Sequence, residues 1–373
     1  MKKSIIAYLM HVDWDWIKQR PHFLYEELTR YYTVDLFYID KIYDKHSGGN
    51  RNSRNVHSNS AVRKLRKLPL SGRISALRQV ERQLNRRVIR SLNQYEYIWI
   101  TSPILVDYIS LEQLKQKIVI YDCMDDFLGF YPDTHGVERL RKLEIQLVER
   151  ADLMITSSEY LKNKMVKLYG EHMKTDPVVV NNGFSTSLLQ SHRSAAHLNP
   201  EENNLVSSLL NIMYIGTIGE WMDFDMLVRV LDQLPACRLT LVGPVEAAVP
   251  SHQRIRCAGT VRHEELAAYA RKADVLIMPF VLNDLVRAVD PVKIYEYISF
   301  GKPIIAIEYD EMYKFLPFVH LYSNEKEFIS LIRQVGKNDL ITYDRKQAIE
   351  FLKASTWEER GKRIVRILEG VSR

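Results

Sequence analysis

Short apolar runs alternate with longer amphipathic segments along most of the 373-residue chain. A short apolar run is typical of a strand that is buried on both faces, and an amphipathic run at helical spacing is typical of a helix that covers it. The alternation therefore predicts a parallel α/β architecture. Because the chain is too long for one ordinary core, we expect two doubly wound units in tandem.

The expected elements follow directly from this pattern. The predicted strands are 4–10, 33–39, 97–101, 117–122, 153–157, 178–181, 212–215, 238–242, 254–258, 275–279, 303–307 and 319–322. The predicted helices are 21–31, 74–92, 137–150, 159–169, 224–234, 263–272, 291–300, 325–335 and 344–353. The expected domains are a first doubly wound domain at 1–184, a linker at 185–204, a second doubly wound domain at 205–353 and a final helix at 354–373.

Composition limits the class of protein. The chain is 46% hydrophobic and 26% charged, and it has no apolar run near the ~20 residues of a membrane span. Its three cysteines are scattered without metal-type spacing. We therefore expect a reduced, cytosolic globular protein.

The positive charge is concentrated in residues 51–90, which hold ten Arg and two Lys against one acid, Glu81. Apolar residues recur at close to helical spacing across 63–90, with Arg on the other face. Such a helix suits the anionic surface of a membrane, and a solvated helix packed on the first domain is the alternative. Nucleic-acid binding is a weaker alternative, because no recognised motif accompanies the charge.

Residues 290–305 read D-P-V-K-I-Y-E-Y-I-S-F-G-K-P-I-I, which predicts a helix, a break and a short strand. Lys293 and Glu296 are three apart and share one face of that helix. A cation beside a helix N-terminus suits a diphosphate, and a carboxylate one turn later can accept hydrogen bonds from ribose hydroxyls. The run therefore predicts a nucleotide-sugar donor site.

Four further segments surround this run. They are Y-I-G-T-I-G at 214–219, C-A-G-T-V-R-H-E-E-L at 257–266, A-D-V-L-I-M-P-F at 273–280 and S-T-W-E-E-R at 355–360. Each could be scaffold by itself, and a glycine pair after a strand is often an ordinary βα turn. Taken in order, the chain resembles GT-B fold glycosyltransferases close to the GT4 group.

That resemblance implies two Rossmann-like doubly wound domains facing a central cleft, and a metal-independent transferase without a cofactor. It assigns acceptor binding to the domain at 1–184 and nucleotide-sugar binding to the domain at 205–353, with the helix at 354–373 crossing back to the first domain. In the donor site it implies that Lys293 holds the diphosphate, together with Arg287, and that Glu296 holds the ribose. It assigns the nucleotide base to Val261 and Arg262.

The sequence also departs from the GT4 pattern. Ala288 stands where many members have a first glutamate, so Asp290 is the expected substitute. Gly216 and Gly219 keep the phosphate-approach turn, but Glu220, Trp221 and Asp223 stand in the stretch where cations usually follow. These departures leave open whether the enzyme inverts or retains the anomeric configuration.

Three acids follow a predicted strand of the first domain: Asp122, Asp125 and Asp126. An inverting transfer needs one carboxylate to take the acceptor proton, and crowded like charges raise the pKa of a carboxyl group. We expect the base among them, with Asp126 and Asp122 preferred. The alternative is that one of them caps the next turn, and a metal site is a weaker interpretation.

The expected acceptor-binding residues are Asp13, Trp14, Trp16 and His22, which follow the first strand or begin the next helix. Indole faces stack on sugar rings and carboxylates bind hydroxyls. Packing of each Trp over the strand end, and capping by His22, are the alternatives.

The segments 16–22 and 121–126 resemble bacterial envelope-polysaccharide transferases, in particular teichuronic acid biosynthesis glycosyltransferases. The resemblance implies transfer from a UDP-sugar, with UDP-glucuronate as one option, to a polysaccharide or lipid-linked acceptor. It places the protein in the cytoplasm, peripheral on the inner face of the membrane. A UDP-sugar 2-epimerase of GT-B fold and a non-catalytic GT-B partner protein are the alternatives.

Overall fold

The computed structural model describes residues 5–15, 18–41, 60–72, 74–130, 134–186, 209–262, 265–340 and 343–371. The chain divides into two compact units. The first unit is Met1–Asn182 with Trp357–Arg373, and the second unit is Gly183–Thr356. Most of the predicted linker at 185–204 lies outside the described residues.

The strands and helices of the described residues alternate in chain order. The strands are β1 Ile5–Met10, β2 Thr33–Lys41, β3 Val62–Lys67, β4 Tyr97–Ile100, β5 Ile118–Cys123, β6 Leu153–Thr156, β7 Val178–Val179, β8 Leu210–Ile215, β9 Cys237–Val242, β10 Ile255–Gly259, β11 Val275–Met278, β12 Ile304–Ile307 and β13 His320–Tyr322. The helices are α1 Arg20–Thr29, α2 Ser75–Arg90, α3 Thr134–Arg150, α4 Glu159–Tyr169, α5 Phe224–Gln233, α6 Leu266–Arg271, α7 Asp284–Ala288, α8 Val292–Phe300, α9 Glu325–Lys337, α10 Arg345–Ala354 and α11 Trp357–Val371.

The first unit contains a parallel sheet in the order β3-β2-β1-β4-β5-β6-β7. Its central strands β4, β5 and β6 are buried at every position, as expected for strands covered by helices on both faces. On one face, α1 and α11 pack together over the core, with Phe23 stacked on Trp357 at a ring-centroid distance of 4.8 Å. Gly361 permits this approach, because a Cβ there would lie 2.8 Å from the Cβ of Glu27.

The second unit repeats the arrangement with a parallel sheet in the order β10-β9-β8-β11-β12-β13. Polar side chains stand at the start of its helices. They accept hydrogen bonds from first-turn backbone N–H groups that have no partner within the helix. Asp223 accepts from Met226 N at 2.9 Å to start α5, and Asn324 accepts from Glu327 N at 3.1 Å to start α9. Gly301, at φ 69°, ends α8 in the left-handed conformation. The prediction of two parallel α/β units is confirmed.

The basic segment differs from its prediction over its first part. Val62–Lys67 is the edge strand β3, not helix, and only Leu65 of its six residues is buried. One inward residue flanked by outward basic residues fits an edge strand. The two-residue spacing of a strand was not apparent in the sequence, because the longer run over 63–90 has apolar residues at close to helical spacing. The helix of the segment, α2, runs over Ser75–Arg90.

Side chains of α2 close the open edge of β3. The buried Asn85 accepts from Arg66 N at 2.9 Å and donates to Arg66 O at 2.9 Å. Glu81, also buried, accepts from Leu68 N at 2.6 Å. Backbone groups that a further strand would pair are therefore bound by two helix side chains, which protects the edge from pairing with another chain.

Among the described residues, no helix combines the length and apolar character that crossing a bilayer requires.

We expect Asn85→Ala to lower the free energy of unfolding by roughly 2 kcal/mol, because it leaves the paired groups of Arg66 without a partner. Urea denaturation checks this value, with Gln83→Ala on the exposed face of the same helix as control. A loss for Asn85→Ala no larger than that of the control would contradict the capping role.

Candidate active site

The strand order of the second sheet reverses at β8, which lies between β9 and β11. The connections after β8 and β11 leave the carboxyl edge of the sheet toward opposite sides, and a crevice forms where they diverge. Residues 216–223 follow β8, while residues 279–290 follow β11 and lead into α8. This edge is where the structure brings the predicted donor residues together.

Lys293 and Glu296 lie on the first turns of α8 and form an ion pair. Lys293 Nζ is 2.9 Å from Glu296 Oε2, and the side chains are 39% and 12% exposed. The ammonium group remains accessible to a ligand, while the carboxylate is held in place. The spacing read from the sequence therefore corresponds to a real shared face.

Tyr297 fixes α8 against the end of β8. Its buried hydroxyl accepts from Ile215 N at 2.8 Å and donates to Ile215 O at 3.0 Å. The two hydrogen bonds set the height and rotation of α8 relative to the last residue of the central strand. Sequence reasoning missed this residue, because a tyrosine on the buried face of a helix does not reveal which group its hydroxyl will bind.

Gly216 and Gly219 are required by neighbouring side chains. A Cβ on Gly216 would lie 2.7 Å from the Tyr214 hydroxyl, and a Cβ on Gly219 would lie 2.4 Å from the Trp221 ring. Gly243 faces the same turn at φ 141°, where a Cβ would lie 2.0 Å from Gly216 O. These glycines give the loop after β8 room for two aromatic side chains and a second backbone.

Asp290 precedes α8 and is fully buried. Its Oδ1 is 2.6 Å from Lys314 Nζ, which also contacts Glu311 Oε2 at 2.8 Å. The carboxylate is thus neutralised inside the fold and anchors the segment that enters α8, whose N-cap is Pro291. This placement weighs against the predicted use of Asp290 in place of the missing glutamate. Arg287 is half-buried at the end of α7.

The predicted base-binding pair follows β10. Val261 is half-buried, and Arg262 is exposed with its guanidinium 2.9 Å from Glu265 Oε1. Glu265 Oε2 also accepts from Arg262 N at 3.0 Å. The turn is therefore closed by its own side chains, and its half-buried Val261 is the member suited to contact a flat ring.

In the first unit, Asp122 ends β5 as a fully buried carboxylate. Arg20, at the start of α1, donates to its Oδ1 from Nη2 at 2.9 Å and from Nε at 3.1 Å. The same guanidinium donates to Val180 O at 2.7 Å. Removing one partner of such a pair leaves a buried charge uncompensated, so Asp122 has a structural role at the carboxyl edge of the sheet.

The other two acids differ from each other. Asp126 is buried against Lys164, with Oδ2 and Nζ 2.7 Å apart. Asp125 has no ion-pair partner among the residues that the structure describes. Burial raises its pKa to about 7; Arg20 opposes the rise, and Asp122 and Asp126 add to it. The sequence favoured Asp126 and Asp122, which are the two acids that the structure pairs with cations.

The predicted acceptor residues are placed differently. Trp14 is buried in the core, where its ring contacts His22 and Tyr25 at centroid distances of 5.3 and 5.1 Å. His22 accepts from Gln19 N at 3.1 Å and caps α1. The packing and capping alternatives thus fit both side chains. Asp13 is half-buried and accepts from Asp15 N at 2.9 Å, while Trp16 lies outside the described residues.

His11 is a candidate site residue that sequence reasoning missed. It follows β1, its Nδ1 lies 2.8 Å from Thr101 Oγ1, and its ring meets Phe127 edge-on at 5.3 Å. Burial lowers its pKa to about 4, with His22 adding to the fall, so the imidazole is neutral near pH 7. Phe127 follows the three acids, which places neutral His11 beside their loop.

Whole-chain structural similarity identifies the fold. Sucrose-phosphate synthase from Thermosynechococcus elongatus matches with a TM-score of 0.71 at 15% identity, covering 99% of each chain. Anabaena Alr3699/HepE, in complex with UDP-glucose, matches with a TM-score of 0.63 at 15% identity, covering 98% of this chain and 99% of that one. The chain has the two-domain GT-B fold of glycosyltransferases.

Sequence similarity is more specific. Residues 210–316, which lie in the second unit, match the family described as Glycosyl transferases group 1. A relative from Bacillus subtilis (strain 168), TuaH, is 26% identical over 266 residues. Its provisional name describes it as a teichuronic acid biosynthesis glycosyltransferase. The match covers 66% of this chain and 65% of TuaH, just under two thirds of that relative's own length.

The raised pKa of Asp125 predicts a pH-dependent stability. The folded state holds this proton up to about pH 7, whereas the unfolded chain releases it near pH 4, so this group lowers stability as pH rises between those values. We expect the free energy of unfolding of wild type, relative to Asp125→Asn, to fall from pH 4 to pH 7.

Denaturation at a series of pH values measures the difference, with Asp15→Asn as the control. Parallel pH profiles for wild type and Asp125→Asn would show that Asp125 titrates normally.

Proposed function

We propose that this protein transfers a sugar from a UDP-linked donor to a glycan or lipid-linked acceptor in bacterial cell-envelope biosynthesis. UDP-glucuronate is one candidate donor. The accessible Lys293 on the first turn of α8, paired with Glu296, carries this proposal. A diphosphate placed there would meet an ammonium group and the free N–H groups of a helix N-terminus.

The comparisons support the donor chemistry. The Lys293–Glu296 pair falls within the group 1 match, and HepE was solved in complex with UDP-glucose. The name of TuaH supports an envelope polysaccharide as the acceptor class. We assign the ribose hydroxyls to Glu296 and the nucleotide base to the turn at Val261 and Arg262.

In an inverting transfer, a base removes the proton of the acceptor hydroxyl while its oxygen attacks the anomeric carbon and UDP departs. We assign the base to Asp125, because a carboxyl group with a pKa of about 7 is matched to neutral pH. Lys293 and the N–H groups of α8 would stabilise the charge that develops on the departing diphosphate. Among the described residues, no group of three His, Cys, Asp or Glu side chains is arranged to hold a metal ion.

We expect Lys293→Ala to weaken UDP binding by roughly 10- to 100-fold, since it removes a charged hydrogen-bond donor to the diphosphate. Isothermal titration calorimetry with UDP measures the affinity, and Lys337→Ala, an exposed lysine on α9, is the control. UDP affinity that is equal in wild type and Lys293→Ala would contradict the donor site. Release of UDP that depends on an added acceptor separates a transferase from an epimerase.

We also propose that α2 brings the protein to an anionic membrane surface. Arg78, Arg82, Arg86 and Arg90 recur every four residues, an arrangement of like charges that destabilises an isolated helix. None of these four has an ion-pair partner among the described residues. The neighbouring apolar side chains are at least two-fifths exposed: Leu70, Ile74, Val80 and Leu84. Cations without an ion-pair partner and exposed apolar groups in one segment complement an anionic bilayer.

We expect Arg86→Gln/Arg90→Gln to weaken binding to phosphatidylglycerol vesicles by roughly 30-fold, at ~1 kcal/mol for each arginine. Val80→Ser/Leu84→Ser should also weaken binding, by removing the apolar contact. Vesicle co-sedimentation measures both, and Arg333→Gln/Lys337→Gln on α9 has the same change in charge as control. Equal losses for the control and the α2 arginine variant would show a non-specific effect of net charge.

A further inference from the structure

The segment after β8 forms a strap across the carboxyl edge of the second sheet. Residues 221–223 pair with residues 279–281, which follow β11, through an antiparallel bridge between Met222 and Phe280. Asp223 N donates to Pro279 O at 2.8 Å, and Val281 N donates to Trp221 O at 2.8 Å. Backbone hydrogen bonds on both sides of Met222 thus hold the strap. They fix the direction in which its side chains leave the backbone.

Trp221 is locked on this strap but remains 36% exposed. Its six-membered ring lies against Gly219, where a Cβ would come within 2.4 Å. Phe280 meets it edge-on at a centroid distance of 6.5 Å and also meets the Tyr214 ring edge-on at 6.1 Å. A large aromatic group held from several sides and left one-third open to solvent is already in a binding conformation.

The exposed ring lies at the same edge of the sheet as the donor pair. Trp221 and Tyr214 both contact Phe280, and Tyr214 directly precedes Ile215. Tyr297 holds α8, which carries Lys293 and Glu296, to Ile215 by two hydrogen bonds. Burial raises the pKa of Tyr214, and the negative charge of Glu296 adds to the rise while Trp221 opposes it. Trp221 and the Lys293–Glu296 pair are thus linked through the last residues of β8.

The charge of the strap indicates what Trp221 contacts. Residues 216–223 contain no Lys or Arg, and their two acids are the exposed Glu220 and the helix-capping Asp223. Such a segment cannot neutralise a diphosphate, and its acids would repel one. An aromatic face with an exposed carboxylate on the adjacent residue suits a hydroxyl-rich ring, which offers C–H groups to the ring face and O–H groups to the carboxylate.

We propose that Trp221 is the stacking platform for the pyranose ring of the nucleotide-sugar donor. It would determine the preference for a nucleotide sugar over the free nucleotide, while Lys293 binds the diphosphate common to both. The assignment rests on the proposed donor function of this site.

The test compares the affinities of UDP and of a UDP-sugar in matched variants. UDP-glucose, UDP-glucuronate and UDP-N-acetylglucosamine are titrated into wild type by calorimetry, and the tightest is used with Trp221→Ala and Trp221→Phe. We expect Trp221→Ala to weaken the UDP-sugar about tenfold while UDP affinity is unchanged. Trp221→Phe should retain most of the affinity, and Tyr313→Ala, an exposed aromatic of the same unit, should retain all of it.

Indole fluorescence gives a second readout that a purely structural role would not move. In wild type, the UDP-sugar should quench emission more than UDP does, and the difference should vanish in Trp221→Phe. Equal loss of UDP and UDP-sugar affinity in Trp221→Ala, or no loss of either, would overturn the platform. If wild type binds none of these nucleotides, the donor function itself is refuted, and that outcome is distinct from a Trp221 variant that behaves like wild type.

Discussion

The proposed donor site depends on the constraint that β8 pairs with β9 on one side and β11 on the other, all in parallel. Parallel strands end at the same edge, so the loops after β8 and β11 must diverge there. The two hydrogen bonds between Tyr297 and Ile215 then fix α8 at that edge. These hydrogen bonds set the positions of Lys293 and Glu296 on α8. The same two loops set the position of the strap that carries Trp221.

In both units, buried carboxyl groups form ion pairs with cationic side chains. In the first, Asp122 and Asp126 are matched with Arg20 and Lys164, so two of three neighbouring carboxyl groups serve the fold. Their negative charge and the surrounding burial then hold the proton on Asp125. In the second, Asp290 is matched with Lys314 and anchors the start of α8. In both cases, buried ion pairs position a neighbouring group that is left available for chemistry.

The strands and helices were predictable because their periods are local: central strands read as continuous apolar runs, and α8 reads as a turn with Lys293 and Glu296 on one face. The edge strand β3 was missed, because a single inward residue, Leu65, cannot establish a period of two within a basic run. Side-chain partners brought together from distant positions were not predictable. Arg20 meets Asp122 and Tyr297 meets Ile215 only after the sheets form, so the choice among the three acids could not be made from spacing.

Amide hydrogen exchange of the full chain with and without saturating UDP tests the central claim, that the donor binds at the carboxyl edge of the second sheet. We predict slower exchange at 216–223, 259–262 and 292–297, because these segments follow β8 and β10 or begin α8. Exchange at the backs of α5 and α9, away from that edge, should not change. Protection confined to the first unit, or no protection at saturating UDP, would contradict the account.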